Sequence, residues 1–544
     1  MQLCDHSKSI SLGSAALCVF LANIAGNAFA NEQSQQATAA QDNQAASTAF
    51  DLLELRIKGN TLLPRIELER AVYPFLGLKK DIDSVEKART TLEELYKAKG
   101  YQTVLVDIPE QDVDGGVVYL QVTEGKVSRL RVKESRYFSL GKIKASVPEL
   151  AEGHVPNMTV MQKQLAELAS QTPDRKVIPI LRAGEERGTL EVDLKVKDVL
   201  PLHGRVELNG RNTETTSLLR ITSSLHYDNL WQKLHSASLM YQVSPENPDE
   251  VDVWVGSYAM PIEGGYNLSF SAISSSSNSA VSGNGAISAL GIGDNYGLNL
   301  SKTLPALNDL MHSITVGISY KNQQQTLNFL ANPADDKTIS YLPFLVQYNA
   351  SFRGKDYFTA FNLGINFAVR GMLNDQPQFT AKSPAAKANY AYLTAGFNFN
   401  HTLPKGLEFA SRFSGQFSDS HLIPYEQFIL GGMSSIRGYF EAQTFADNGL
   451  LGSLELRSPR LVPREWESVN RLQAITFVDG GTGWVKQASA GEAKSYQLAS
   501  AGFGVRFQCW KYFNGILDLG FPLISQGTIH SGDPKLHFSI ATEF

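Results

Sequence analysis

Two different hydrophobic periods divide the chain near Pro201. Before this proline, stretches with apolar residues at every third or fourth position alternate with stretches in which apolar and polar side chains take turns. After it the helical period disappears, and about 340 residues form alternating stretches of about ten residues, each bounded by a turn. The pattern predicts small α+β modules followed by an all-β domain.

Two modules are expected before Pro201. The first is predicted over residues 50–126, in the order strand, helix, helix, strand, strand, and the second, with a looser pattern, over residues 127–200. In the stretch "TLEVDLKVKD" the apolar Leu190, Val192 and Leu194 alternate with charged residues. This alternation is typical of a sheet with one face in water.

The main helix of each module is predicted to begin at a capping box. In "DSVEKARTTLEELYKAKGY" the box is Asp83 with Glu86, and in the second module it is Thr159 with Gln162. The apolar positions of the first helix recur at helical spacing. They are Val85, Ala88, Leu92 and Leu95.

The all-β part, residues 201–544, has turns of two lengths. Short turns occur at "DNLWQK", "MPIEGGY", "FRGKDYF" and "HTLPKGLE", and longer polar loops such as "SPENPDE" and "MLNDQPQFTAKSPAAKAN" lie between them. This asymmetry is typical of outer-membrane barrels, and it predicts a transmembrane barrel of about sixteen antiparallel strands. The alternative for such strands is a soluble β-sandwich.

The N-terminal region has the composition of an exported protein. Residues 1–30 combine Lys8, an apolar stretch and the small-x-small site "AFA", which predicts a signal peptide. Residues 31–49 are rich in Gln, Ala and Ser and are expected to form a polar tether or short helix.

Charge and cysteine content exclude two classes of protein. A net charge of −5 and a pI near 6.1 give no basic surface for nucleic acid. Two of the three cysteines, Cys4 and Cys18, fall in the predicted signal peptide, so Cys509 is left without an internal disulfide partner. This excludes a protein held together by a framework of disulfides.

The chain has no motif that indicates catalysis. It lacks the phosphate-binding, serine-nucleophile and common zinc motifs, and its ten histidines have no ligand spacing. We therefore expect no enzyme activity, no cofactor and no metal.

Two motifs in the β part have a specific resemblance. "LGGMSSIRGYFE" lies in a long loop, residues 419–447, and "FVDGG" lies in the next strand but one. Together with the two preceding modules, they resemble the two-partner secretion transporters of the haemolysin secretion/activation type, a branch of the BamA-like superfamily. The resemblance covers the chain from about Asp51 to Phe544.

The resemblance implies that the loop folds back into the barrel lumen, where Arg437 pairs with Asp479 of the strand motif. A guanidinium offers a planar fork of donors that a carboxylate accepts bidentately. The remaining motif residues would shape the loop and frame the acceptor; they are Gly432, Ile436, Gly438, Tyr439, Phe477, Gly480 and Gly481.

The resemblance also implies that the modules are POTRA domains in the periplasm of a Gram-negative bacterium, where they bind an unfolded exoprotein that the barrel exports across the outer membrane. An open sheet edge suits an extended chain. The candidate edges are Val104, Val106 and Ile108 in the first module and Leu190, Val192 and Leu194 in the second. Expected partners are a haemolysin- or adhesin-like exoprotein and outer-membrane lipid, with no nucleic acid.

Two alternatives remain at this point. An outer-membrane protein insertase belongs to the same superfamily but usually carries more POTRA modules. A passive diffusion porin would need neither the modules nor an inward-folded Arg-Gly-Tyr loop.

Overall fold

The computed structural model describes residues 49–276, 279–283, 286–290, 292–307, 309–324, 338–463, 465–488 and 493–544. The predicted signal peptide and all but the last residue of the predicted tether lie outside these residues. The described residues form two compact units, one of residues 49–98 and 104–123 and one of residues 99–103 and 124–544. No helix among them is both long and apolar enough to cross a membrane.

The first unit is a small α+β module. Its elements are β1 Phe50–Leu52, β2 Glu54–Lys58, α1 Arg65–Val72, β3 Gly77–Lys80, α2 Ile82–Ala98, β4 Leu105–Asp107 and β5 Val117–Thr123. Strand β5 lies between β2, which is parallel to it, and β4, which is antiparallel. Helix α2 buries Val85, Ala88 and Leu92 as its spacing predicts, but the fourth buried position is Tyr96 rather than Leu95.

The second unit begins with a module of similar construction. Its elements are β6 Lys126–Lys133, α3 Leu140–Ala145, α4 Met158–Ser170, β7 Arg175–Ala183 and β8 Thr189–Asp198. The sheet order is β6-β8-β7, so β8 is the central strand. Its buried Val192 and Leu194 pack in one core with Met161 and Leu168 of α4.

Both predicted capping boxes are wrong by two residues. Asp81 caps α2, because its carboxylate accepts from the backbone nitrogen and the hydroxyl of Ser84 at 3.0 and 2.6 Å. Asn157 caps α4, because its side-chain oxygen accepts from the backbone nitrogens of Thr159 and Val160. Each helix starts one residue before the first residue of its predicted box. The residue before that start has a short polar side chain that can reach the free N–H groups.

A closed antiparallel barrel follows. Its strands are β9 Leu202–Asn209, β10 Arg220–Leu230, β11 His235–Val243, β12 Asp252–Ile262, β13 Tyr266–Ser275, β16 Gly293–Thr303, β17 Leu310–Gln323, β18 Ile339–Tyr341, β19 Pro343–Arg353, β20 Tyr357–Ala368, β21 Ala391–Thr402, β22 Glu408–Ser418, β25 Asn448–Arg457, β26 Val469–Trp484, β27 Ser495–Cys509, β28 Phe513–Pro522 and β29 Lys535–Glu543. The short β18 and β19 both pair with β17 and form two parts of one strand. The seventeen segments therefore make sixteen strands.

The remaining elements belong to the longer connections. They are the hairpin β14 Ser279–Gly283 and β15 Ala286–Leu290, helix α5 Gln376–Lys382, and the hairpin β23 Phe428–Leu430 and β24 Thr444–Ala446. At the other end of the barrel the connections are short, as at residues 231–234 and 354–356. The pairing of the last strand, β29, with the first, β9, closes the sheet, which confirms the predicted barrel and rules out the sandwich.

The two faces of the barrel wall differ in polarity. In β29, Leu536 is 51% exposed on the outer face, whereas the neighbouring His537 is 1% exposed on the inner face. The same alternation holds at Val478 and Asp479 of β26. An apolar outer face and a polar inner face are what a barrel in lipid requires.

Candidate functional site

The long connection between β22 and β25, residues 419–447, packs against the inner face of the wall. The hairpin of β23 and β24 carries its tip, residues 431–443. At the tip Ile436, Arg437 and Tyr439 are at most 3% exposed. A thirteen-residue tip with a buried arginine requires specific partners for the guanidinium, since an unpaired buried charge is costly.

Arg437 makes a bidentate ion pair with Asp479 of β26. Its Nε lies 2.7 Å from Asp479 Oδ2 and its Nη2 lies 2.9 Å from Oδ1. The backbone N–H of Arg437 donates to the same Oδ2 at 3.0 Å, and Ser453 Oγ donates to Oδ1 at 2.6 Å. The structure thus brings together the two residues that the sequence motifs single out.

Two further carboxylates contact the same guanidinium. Arg437 Nη1 donates to Glu455 Oε2 at 2.8 Å and to Asp518 Oδ2 at 3.2 Å. Glu455 also pairs with Arg457, and Asp518 with Arg506. Glu408 lies 3.8 Å from Arg457, and the half-buried Arg412 interacts electrostatically with Asp479 and Glu455. Four arginines and four carboxylates therefore form a cluster whose formal charges cancel, which lowers the cost of burying it.

Sequence reasoning missed Glu455 and Asp518. They lie on β25 and β28, 18 and 81 residues after Arg437 along the chain. Each is an acidic residue at an inward-facing, buried position of a barrel strand. That pattern is the one signal in the sequence that could have identified them.

The strand motif contributes an aromatic ring and space. The guanidinium carbon of Arg437 lies 3.4 Å from the centroid of the Phe477 ring, a cation–π contact in a buried site. A Cβ at Gly481 would lie 2.8 Å from Ile436 Cδ1, so the glycine leaves room for the loop. At Gly480 the nearest atom would be 3.8 Å away, so space does not require a glycine there.

Gly438 brings the loop backbone against β28. It has φ +92°, a left-handed conformation that favours glycine. A Cβ at Gly520 of β28 would lie only 2.6 Å from the Gly438 nitrogen. The Gly438 N–H donates to Nε2 of His537 at 2.9 Å, which fixes the tautomer of that imidazole with its proton on Nδ1.

Tyr439 anchors the loop on the far side of Arg437. Its hydroxyl lies 2.7 Å from the carbonyl oxygen of Ile524 and 2.9 Å from that of Ala499. Its ring is fully buried in one apolar cluster with Leu430 and Ile436. Tyr439 and Ile436 thus supply the apolar part of the loop's attachment, and Arg437 supplies the ionic part.

Gly432 begins a turn, residues 432–436, and packs against the Glu441 carboxylate. Its φ is +114°, and a Cβ there would lie 2.3 Å from Glu441 Oε2. The Glu441 carboxylate accepts from the backbone N–H of Met433 at 2.9 Å, while Arg211, just after β9, donates to Ser434 Oγ at 2.8 Å. Arg211, after the first barrel strand, and His537, in the last, therefore both hold the tip.

Two buried acids hold the base of the loop. Glu426 accepts from the hydroxyls of Tyr341 and Tyr392 at 2.8 and 2.7 Å. Asp447 accepts from the backbone N–H groups of Leu422 and Lys486 at 2.8 and 2.7 Å. Because base and tip are both anchored, the loop has one defined position in the lumen.

In the first module, Val106 lies in β4, and Val104 and Ile108 directly precede and follow this strand. This strand pairs only with β5 in the described sheet, so its other side carries no strand. Val104 and Val106 are buried, whereas Leu105 between them is 55% exposed. Arg89 donates to the carbonyl of Val106 at 3.2 Å, so one acceptor of this edge is already used within the module.

In the second module, the predicted edge at Leu190, Val192 and Leu194 is wrong. These residues belong to β8, which pairs with β6 on one side and with β7 on the other. Alternation in sequence shows that one face is wet, but it does not reveal the order of strands in the sheet. The Lys133 ammonium of β6, with the Arg131 guanidinium, lowers the pKa of Asp193 in β8.

The true edges of that sheet are β6 and β7. Backbone groups of β6 already have partners, because the N–H of Val127 donates to the carbonyl of His154 and the N–H of Leu130 donates to Glu152. Strand β7 carries Pro179, which is tolerated at an edge, and its Ile178 is 44% exposed.

Comparisons with known proteins agree with this architecture. The family described as "Haemolysin secretion/activation protein ShlB/FhaC/HecB" matches residues 188–507, and "POTRA domain, ShlB-type" matches residues 50–125. The chain is 25% identical over 457 residues to "Outer membrane transporter CdiB" of Dickeya dadantii (strain 3937), covering 82% of this chain and 78% of the relative. It is 20% identical over 498 residues to "Heme/hemopexin transporter protein HuxB" of Haemophilus influenzae (strain ATCC 51907 / DSM 11121 / KW20 / Rd), covering 87% of this chain and 84% of the relative.

Solved structures share the fold. CdiB from Escherichia coli superposes with a TM-score of 0.61 at 19% identity, covering 93% of each chain. BamA from Haemophilus ducreyi, solved without its POTRA domains 1–3, superposes with a TM-score of 0.54 at 14% identity, covering 91% of this chain and 100% of the other.

Proposed function

The chain belongs to the haemolysin secretion/activation family ShlB/FhaC/HecB, and from this premise we propose that it is the translocation pore of a two-partner secretion system. It is an outer-membrane transporter with its POTRA modules in the periplasm. Its partner is a secreted exoprotein, which passes through the barrel lumen. For this chain we propose a large haemolysin- or adhesin-like exoprotein with an N-terminal secretion domain.

The observation that carries the proposal is the loop tip held against the inner wall by Arg437. Its attachment consists of ion pairs, hydrogen bonds and apolar contacts, all of which are reversible. A passing chain that displaces the tip would open the lumen without breaking the wall. We therefore assign the Arg437–Asp479 pair the role of a latch, supported by Glu455 and Asp518.

Capture in the periplasm is assigned to sheet edges. In the first module we propose the β4 edge at Val104, Val106 and Ile108, and in the second the edge of β7 rather than β8. An extended exoprotein can add a strand at such an edge through main-chain hydrogen bonds. Binding through the main chain accepts many sequences, which suits a long substrate.

The test of the latch is export by Arg437→Ala and Asp479→Ala variants. We expect each to reduce the exoprotein in the medium at least tenfold, while heat-modifiable migration in SDS gels shows a folded barrel. Breaking a buried ion pair from one side costs about 3–5 kcal/mol, and water in the lumen reduces that figure. Secretion at the wild-type rate by both variants would refute the latch.

Deletion of the gene, together with conductance measurements, distinguishes the proposed translocation pore from an insertase and from a passive porin. Loss of an exporter leaves one exoprotein in the periplasm, whereas loss of an insertase lowers many outer-membrane proteins. A passive porin would give a bilayer conductance that the exoprotein's secretion domain does not change.

A further inference from the structure

Strands β9 and β10 place two histidines and an aspartate together at the periplasmic end of the barrel. His203 of β9 is directly opposite His226 of β10 in the ladder, and Asp228 follows His226 by two residues. Directly opposite residues and residues two apart share one face of a sheet. Because Leu225 is exposed on the outer face, His226 and Asp228 face the lumen side.

The three side chains converge on one point. His226 Nε2 lies 3.2 Å from Asp228 Oδ2, and His203 Nε2 lies 3.9 Å from the same oxygen. All three ligand atoms lie within 4.8 Å of one another. Ligands of a tetrahedral Zn²⁺ with bonds of about 2.0–2.1 Å are about 3.3–3.4 Å apart, so binding the ion requires side-chain rotations that bring the more widely spaced atoms together.

A fourth ligand atom, a carboxylate oxygen, comes from the second module. Asp174, just before β7, has Oδ1 3.1 Å from His203 Nε2, and its side chain is only 4% exposed. Two imidazoles and two carboxylates form a donor set that suits Zn²⁺ among the common divalent metals. The His226 side chain is 46% exposed, which leaves an entry path for the ion.

We propose that His203, His226 and Asp228 bind Zn²⁺, with Asp174 as the fourth ligand. The ion then joins the second module to the first hairpin of the barrel. The end of β10 and the turn after it already contact the module, because Asn229 Nδ2 and Gln232 Nε2 donate to the Tyr137 carbonyl at 3.1 and 2.9 Å. Zn²⁺ fixes the module at the mouth of the lumen, where the substrate enters.

The test is Zn²⁺ titration of the full-length protein, purified without a histidine tag, stripped with EDTA and studied by calorimetry in detergent. We expect one Zn²⁺ per chain with a Kd in the micromolar range or below. His226→Ala and Asp228→Asn are each expected to weaken binding at least tenfold. His312→Ala is the matched control, since this rim histidine contacts Tyr348 instead of the cluster.

Three outcomes decide the proposal. No saturable Zn²⁺ binding by the wild type, or equal binding by His226→Ala, would overturn it. An unchanged affinity in Asp174→Asn would overturn the link to the second module, although the three barrel ligands would stand. Because His226 is half exposed, its variant is expected to fold, and heat-modifiable migration checks this.

Discussion

At the scale of single residues, the latch depends on the shape of one side chain. Arg437 uses Nε and Nη2 for Asp479 and Nη1 for both Glu455 and Asp518, so one guanidinium serves three carboxylates. A planar fork can serve all of them at once, whereas an ammonium is a compact charge on a flexible stem. Geometry as well as charge therefore determines how well the tip is held.

Arg437→Lys tests this dependence. The charge is kept but the bidentate contact is lost, so we expect secretion to fall at least tenfold while the barrel still folds. Exoprotein in the medium, measured against barrel quantity, gives the result. Arg353→Lys at an exposed site is the control. If Arg437→Lys secretes normally, charge alone accounts for the latch.

A pair of glycines tests the close approach of loop and wall. Gly520→Ala would place a Cβ 2.6 Å from the Gly438 nitrogen, whereas the nearest atom at Gly480→Ala is 3.8 Å away. We expect the first variant to displace the tip and reduce secretion several-fold, and the second to behave as wild type. Protease accessibility of the tip in intact cells measures the displacement. Equal behaviour of the two variants would contradict the packing described.

At the scale of elements, the loop and the sheet edges show what sequence can predict. The Arg437 and Asp479 partners both lie in short motifs, so the sequence singled them out. Glu455, Asp518 and His537 were missed, because the curvature of the wall rather than a local motif brings their strands to the loop. The edge at Leu190 was wrong for a related reason, since strand order in a sheet is a property of the tertiary fold.

Cross-linking tests the edges of the modules. A photo-reactive residue at Leu105 of β4 or Ile178 of β7 is expected to form an adduct with the exoprotein, because an added strand lies about 5 Å from its neighbour. The matched control is Ile66 on α1, which is 62% exposed but lies on a helix. Equal adducts at Ile66 would indicate non-specific apolar contact instead of strand addition.

At the scale of the whole molecule, the first and last strands of the barrel pair over fewer residues than any other two neighbouring full-length strands. Strands β29 and β9 pair over five residues, from Ser539 opposite Asn209 to Glu543 opposite Arg205. Neighbouring strands β10 and β9 pair over eight. The alternating pattern predicted the number of strands, since each strand has its own apolar outer face. It gave no information on the length of this seam, because that depends on the register of the two ends of the barrel.

A disulfide across the seam distinguishes export through the lumen from opening of the wall. Val206→Cys with Thr542→Cys joins directly opposite outward residues, in a Cys509→Ser background that removes the free thiol. Oxidation is expected to leave secretion within about twofold of the reduced protein, since opposite strand positions suit disulfide geometry without distortion. Secretion that stops on oxidation and returns with reductant would favour an insertase-like opening.

The Leu225→Cys and Leu239→Cys pair, opposite each other on β10 and β11, is the control for this experiment. It crosses a seam away from the closure and on the same outer face. Its oxidation should have no effect under either mechanism, so any loss there reports damage to the barrel itself.

The charge-neutral cluster around Arg437 affects the lumen that remains when the loop tip moves away from the wall. Without this arginine, the wall retains four carboxylates against three arginines, a formal excess of one negative charge; they are Glu408, Glu455, Asp479 and Asp518, and Arg412, Arg457 and Arg506. An exposed carboxylate in a confined channel attracts cations. Lysines and arginines of a transiting polypeptide can thus replace the departed guanidinium in succession, so the vacated anchor favours basic segments on their way out of the cell.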